Sequence, residues 1–191
     1  MKGRAYMETI STSQKLLEAY ARGQRDFYHW NLVGADLAEA DLSDIDLRGA
    51  HLHGVNLAGA NLENAVFAGA DMNEADLSEA DLSDAVLAYA SLKGANLRAA
   101  DLTNADLEEA NLTNADLTEA TLQDAFLDGA ELKHAHLDGA DLTGASLEDT
   151  DLTGTDLSNA ILSDESLDTA FWADEGPHGQ PTQPEADDIG E

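Results

Sequence analysis

His51 and His53 flank a single leucine in the stretch HLHG. Residues two apart on an extended chain share a face, so the two imidazoles point the same way and could begin a zinc site. Zinc needs further ligands, and the chain has no cysteine to supply a thiolate. The many acids could attract calcium, but the RTX-type glycine–aspartate nonapeptide is absent. There is no glycine-rich phosphate loop, no G-x-S-x-G turn and no cysteine nucleophile. The motif NLT at Asn111 matches a glycosylation sequon, which means nothing without secretion. The residues therefore offer surface histidines and acids, with no catalytic set, no metal ligand set and no cofactor site, and the chain reads as non-enzymatic.

Charge narrows the partners. The 191 residues carry 39 acids against 9 bases, a formal net charge of −30. Phosphate recognition needs clustered Lys and Arg, so direct nucleic-acid binding is excluded, and anionic membrane for the same reason. A basic groove on a protein partner remains, as does salt adaptation, which the 4 Lys and 24 Asp would suit. No secretory signal stands in MKGRAYMETI, no apolar run approaches a membrane span, and the absence of cysteine fits a reducing compartment. The expectation is a soluble, cytoplasmic protein.

What positions these side chains is a repeat of five. From Leu32 to Leu167 every fifth residue is a centre; of 28 centres 26 are Leu, with Phe67 and Met72 the exceptions. Two residues earlier, 22 of the 28 positions are Ala. A helix would step successive leucines about 140° around its axis and build no stripe. A straight strand puts Ala and Leu on one face, but the next Ala, three residues on, would flip to the other. The pattern closes only if the chain turns a corner between each Leu and the next Ala. Gly, Asn or Asp fills 19 of the 28 positions two after the centre, and these residues accept positive φ.

The units ADLAE, ADLSE, ANLRA, ADLEE, ANLTN and ADLTE resemble the A(D/N)LXX motif of pentapeptide-repeat proteins. The resemblance implies an all-β fold, a right-handed quadrilateral β-helix with four pentapeptides per coil. The 28 repeats then make about seven coils, a rod about 34 Å long at the spacing of stacked strands. Residues 27–172 form this rod. Residues 1–26 precede it with a short capping helix: Ser11 and Gln14 have capping-box spacing, Leu16, Leu17 and Tyr20 form an apolar face, and Gly23 is a stop. Phe27 and Trp30 belong to the same docking, and LLEAYARGQRDF is similar to the lead-in of cyanobacterial members. At the far end Thr150, Thr155 and Glu165 replace the inward Ala, so the coil should loosen there under Phe171 and Trp172. Residues 173–191 hold all three prolines and read as a disordered acidic tail.

Four repeats per coil stack residues twenty apart and divide the outside into four sides. The side of residues 31, 51 and 71 carries His51, His53 and His134 and is close to neutral; Asp71 is the only obvious acid beside the HLH pair. On the side of residues 36, 56 and 76, acids alternate with uncharged partners, which lessens self-repulsion. The third side has no base and carries Asp41, Asp44, Glu63, Asp81, Asp84, Asp101, Asp124 and Asp141, a candidate acidic face. The fourth side breaks the polar rule with Val66, Val86 and Phe126, beside Ala68, Ala88 and Tyr89, a candidate protein contact.

Two functions compete. The first is a rigid interaction module that presents flat acidic faces to an unidentified protein partner. It would be a monomer or a weak homodimer, because the apolar patch covers only a few hundred Å². The second is a DNA mimic, since some family members are dimeric rods that occupy the DNA-binding saddle of DNA gyrase. Residues 31–170 carry 30 acids and 4 bases; over about 34 Å that is one charge per ~1.3 Å, against ~1.7 Å in duplex DNA. Gyrase-binding members generally have more Phe centres and some have loops, whereas this chain has Leu centres and none. The interaction module ranks first.

Overall fold

The computed structural model describes residues 11–163 and Ala170. The residue before each centre pairs in parallel with the residue twenty positions on: Asn31 with His51, Asp36 with Asn56, Asp41 with Asn61, Asp46 with Val66. Four pentapeptides therefore advance the chain by one layer. Each repeat is tied to the next layer by the centre's N–H, as in Leu32 to the His51 carbonyl at 2.8 Å, and by the corner's N–H, as in Gly34 to the His53 carbonyl at 2.9 Å. A return bond runs from His51 N–H to the Trp30 carbonyl at 2.9 Å. Most pairings are single-residue bridges, because the chain turns before a longer strand can form. The exceptions are β1 (Asp141–Leu142) and β2 (Ile161–Leu162), which pair in parallel.

The corner is a type II turn. Ala35 N–H donates to the Leu32 carbonyl at 2.9 Å, closing four residues. Positive φ recurs at every fifth residue from His29 to Gly154, and never at the residue before it. One positive φ, at the third turn position, is the type II signature. Nine of these corner residues are neither Gly, Asn nor Asp, among them Glu39, Ala99 and Tyr89. Each costs about 1–2 kcal/mol of left-handed strain, which the buried Ala and Leu of its own repeat offset.

The inside is one ladder. The leucines from Leu32 to Leu152 are buried, with Phe67 and Met72 in the same ladder, and the alanines from Ala50 to Ala145 line the same core. Ile45 and Val55 take Ala positions and are buried as well. The ladder also starts one repeat earlier than the leucines: Phe27 is fully buried, Asp26 bridges to Asp46, and His29 has φ +55. DFYHW, residues 26–30, is thus a degenerate repeat, with Phe as its centre and Arg25 in the Ala position.

The helix α1 spans Thr12–Ala21, and both bonds of its Ser11–Gln14 capping box are present. Gly23 follows at φ +92. Leu16 is buried in the core cluster, and Ala19 and Tyr20 pack against it. Tyr20 Oη donates to the Ser43 carbonyl at 2.7 Å. Leu17 does not share this face: it remains 37% exposed, because one residue turns a helix about 100° away from Leu16. Phe27 and Trp30 meet edge to face at 4.9 Å.

The other end keeps its register further than the Ala-to-Thr changes suggested. Thr150 and Thr155 are both buried, yet their hydroxyls donate to the Leu127 and Leu132 carbonyls of the preceding layer, at 2.8 and 2.6 Å. A buried hydroxyl with such a partner carries little penalty. Among the described residues no positive φ follows Gly154. Glu165, Phe171, Trp172 and the tail of residues 173–191 lie outside the described residues.

Candidate functional site

An Asp or Asn before a centre has a local task. Asp81 Oδ1 accepts from Ser83 N–H at 3.0 Å and Ser83 Oγ at 2.6 Å; Asp101 does the same with Thr103, at 2.9 and 2.6 Å. These Asx bonds brace the corner from outside. Asn at the equivalent position links layers: Asn56 donates to Asp36 at 3.0 Å, Asn61 to Asp41 at 3.3 Å and Asn96 to Asp76 at 2.9 Å. The alternation of acid and amide is therefore a hydrogen-bonded ladder as well as a dilution of charge.

On the third side, Asp41, Asp81, Asp101 and Asp141 lie in the bridging column with Asn61 and Thr121, so two acids adjoin only at Asp81 and Asp101. Thr143 Oγ1, Gln123 Nε2 and the Thr143 N–H donate to Asp141 and hold its carboxyl below the ordinary range. Asp44, Asp84 and Asp124 occupy the corner column and are exposed; Glu63, also exposed, lies one residue past its centre. Every acid named for this face carries its charge outward, but half of them are also corner braces.

The fourth side differs layer by layer. Its bridging column reads Asp26, Asp46, Val66, Val86, Asp106, Phe126, Ser146. Val66 and Val86 are direct bridge partners and half-buried, with Ala68 half-buried beside them. Ala88 is only 8% exposed and adds almost no surface, whereas Tyr89 is 67% exposed. Phe126 is 49% exposed but separated from the valines by Asp106. Tyr89 sits at a corner with φ +62. A bulky residue there is strained, as are the eight other corners that are neither Gly, Asn nor Asp.

Below the valines the side is aromatic and cationic. Arg48 donates through Nε and Nη2 to Asp46, at 2.7–3.0 Å, and through Nη2 to Tyr28 Oη at 2.9 Å. Its guanidinium lies 4.7 Å from the Tyr28 ring centroid. Partial burial works against the Asp46 carboxylate, but the hydrogen bonds and charge of Arg48 outweigh it and lower the Asp46 pKa. Sequence stacking found the valines; it did not find this Asp46–Arg48–Tyr28 cluster, whose only signal was an aromatic and a base twenty residues apart.

The histidines do not assemble. His51 bridges Asp71, and His53 Nε2 lies 3.8 Å from Glu74 Oε2. Among the described residues no three His, Cys, Asp or Glu side chains come together to hold a metal ion. The column Asp116, His136, Asp156 borders a shallow depression of about 440 Å³ that Thr118, Leu137, Asp138 and Ser158 complete. It is open and lined by acids. No helix among the described residues is long and apolar enough to cross a membrane.

One inward Leu and one inward Ala per pentapeptide, a type II corner and a twenty-residue register define a parallel β-solenoid of five-residue units. The family model for pentapeptide repeats matches residues 31–67, 60–98, 95–133 and 127–164 with eight copies, and the chain belongs to that family. Among solved structures it is similar to a pentapeptide repeat protein of the Arabidopsis thaliana thylakoid lumen, at 33% identity and TM-score 0.51 over 55% of this chain and 73% of that one. HetL, a pentapeptide repeat protein involved in heterocyst differentiation regulation in the cyanobacterium Nostoc, is 33% identical over 85% of this chain and 98% of its own, with TM-score 0.32. QnrB1, a plasmid-mediated fluoroquinolone resistance protein, is 24% identical over 72% and 70%, with TM-score 0.43. Comparison with curated proteins found no match.

Proposed function

We propose that the chain is a non-enzymatic, rigid protein-interaction module. Residues 27–172 form a right-handed quadrilateral β-helix of about seven coils, α1 caps its first layer, and the acidic tail of residues 173–191 lies beyond it. The pairing of residues twenty apart supports the coil, and the burial of Leu16 supports the cap. The contact surface is the strip of Val66, Ala68, Val86 and Tyr89, with Ala88 beneath it and Phe126 further along. The observation that carries this reading is Tyr89: a large ring, 67% exposed, held at positive φ beside two outward valines on an otherwise acidic rod. A partner reaching this strip desolvates few charges. The working compartment of this reading is the cytoplasm, which the lack of cysteine supports.

The test compares the immobilised chain with Val66→Asn plus Val86→Asn in a lysate of its source. Loss of a specific partner in the variant supports the reading, and an unchanged set of partners overturns it. Charge density favours one other reading, the DNA mimic directed at DNA gyrase or a related topoisomerase. Gyrase inhibited or protected by an excess of the chain, with the effect removed by added salt, would select it. Unchanged supercoiling would dismiss it.

A further inference from the structure

The strip on the fourth side matches itself when one copy is turned end for end. We propose that it pairs with the same strip of a second copy, the two rods antiparallel. This rests on the reading of the strip as a contact surface. A two-fold axis lying in the interface and perpendicular to the rods keeps each column opposite itself and reverses the order of layers. With that axis between the Val66 and Val86 layers, Val66 of one copy meets Val86 of the other. Tyr89 then meets Gly69, where nothing lies within 4 Å of an added Cβ, so the ring has open space to enter.

One layer further out, Arg48 meets Glu108. Arg48 uses Nε and Nη2 within its own chain and leaves Nη1 without a partner among the described residues. Glu108 is exposed, and its carboxylate makes no ion pair among the described residues. The pairing also sets Asp46 against Asp106, but Asp46 is already neutralised by Arg48 at 2.7 Å. A parallel pairing lacks these matches. It keeps each layer opposite itself, so the layer of Asp106, Glu108 and Glu109 would face its own copy, and like charges in contact are destabilising.

Charge along the chain favours the same choice. Residues 11–48 carry 7 acids and 4 bases, and residues 49–163 carry 22 acids and 3 bases. Antiparallel rods put the least charged end of one copy beside the most acidic end of the other. The overlap from the Asp26 to the Phe126 layers is one narrow side about 29 Å long at stacked-strand spacing. It falls below the ~800 Å² per partner of stable complexes, so the dimer forms in a weak, concentration-dependent equilibrium.

The chain lacks cysteine, which allows a register-specific test. Full-length Val66→Cys and Val86→Cys proteins, one carrying a mass tag, are mixed in equal amounts at close to millimolar concentration and oxidised with copper phenanthroline. Circular dichroism first confirms that each is folded. The antiparallel register predicts mixed disulfides several-fold above the statistical share. Homodisulfides in excess, statistical mixing, or no disulfide at all would overturn it. Such a failure removes only the second copy as occupant. The contact reading fails separately, if Val66→Asn with Val86→Asn leaves every partner bound.

Discussion

The third and fourth sides of this solenoid share one backbone and differ in nearly everything they show to water. Behind both lie the same buried leucines and alanines, and the same type II corners. On the third side the residue before the centre is Asp81, Asp101 or Asp141, bonded to the Ser or Thr two residues on. On the fourth side the equivalent residues are Val66 and Val86, which brace nothing. The corner closes equally well without its Asx bond: the turn bond is 2.8 Å from Ala70 to Phe67 and 3.1 Å from Ala85 to Leu82. Inward residues and turn bonds therefore hold the fold, and the outward column is free to vary. Val66 and Val86 thus take no part in closing their corners, and the contact surface proposed above rests on that freedom.

The largest effect should come from what both sides share. Leu107→Ala should destabilise by about 2–5 kcal/mol, because a fully buried leucine between fixed layers leaves a cavity that cannot collapse. Ala105→Leu should cost about 1–3 kcal/mol by overpacking. Urea melts check both, and a loss well below 1 kcal/mol for Leu107→Ala would break the claim that the inside holds the fold.

Tyr89→Gly should move stability and association in opposite directions. Glycine relieves the strain at φ +62, so the fold should gain about 1 kcal/mol. Any association through the strip should weaken, since Tyr89 is its most exposed side chain. Thermal melting with sedimentation velocity reads both. A variant that is less stable than the parent would show that the ring packs on its own chain.

A smaller effect distinguishes the braced column. Asp141 is held below the ordinary carboxylate range chiefly by Thr143 Oγ1. Its folded pKa is depressed, so its contribution is present above the unfolded carboxylate pKa of about 4 and is lost as pH falls through the folded value. Thr143→Ala should raise the Asp141 pKa toward ordinary, as an NMR titration of its carboxyl would show. Val66 and Val86 have nothing to titrate, so the corners of their repeats lose no brace in the same pH range.

The five-residue period made the inside legible, because an unbroken run of like units fixes it, whereas the stacking at twenty residues came from the family resemblance, which implied four pentapeptides per coil. The valines stood out because they break a polar column at the interval of stacking. Where the sequence fell short, the missing information lay in neighbouring layers. Phe27 was hard to see as a centre because Arg25 replaces the inward alanine before it. Thr150 and Thr155 looked like places where the core loosens, since their acceptors, the Leu127 and Leu132 carbonyls, are 23 residues away. Ala88 looked outward by position, but at 8% exposure it is covered. Arg48 reaches Asp46 within its own repeat, but its bond to Tyr28 depends on an adjacent-layer contact.

The most direct test changes one side at a time. Val66→Asn with Val86→Asn is preferred to Asp, because Asp46 and Asp106 flank the pair and would complete a run of four stacked acids. The control is Asp84→Asn with Asp124→Asn on the third side. Both should melt within about 0.5 kcal/mol of the parent, as surface changes do. Sedimentation equilibrium then measures self-association of the three proteins at equal salt. Loss of association in the fourth-side variant, with the control at parent strength or slightly stronger, is the expected result. Equal association in the parent and the fourth-side variant, or loss only in the third-side control, would contradict the assignment of self-association to the valine strip.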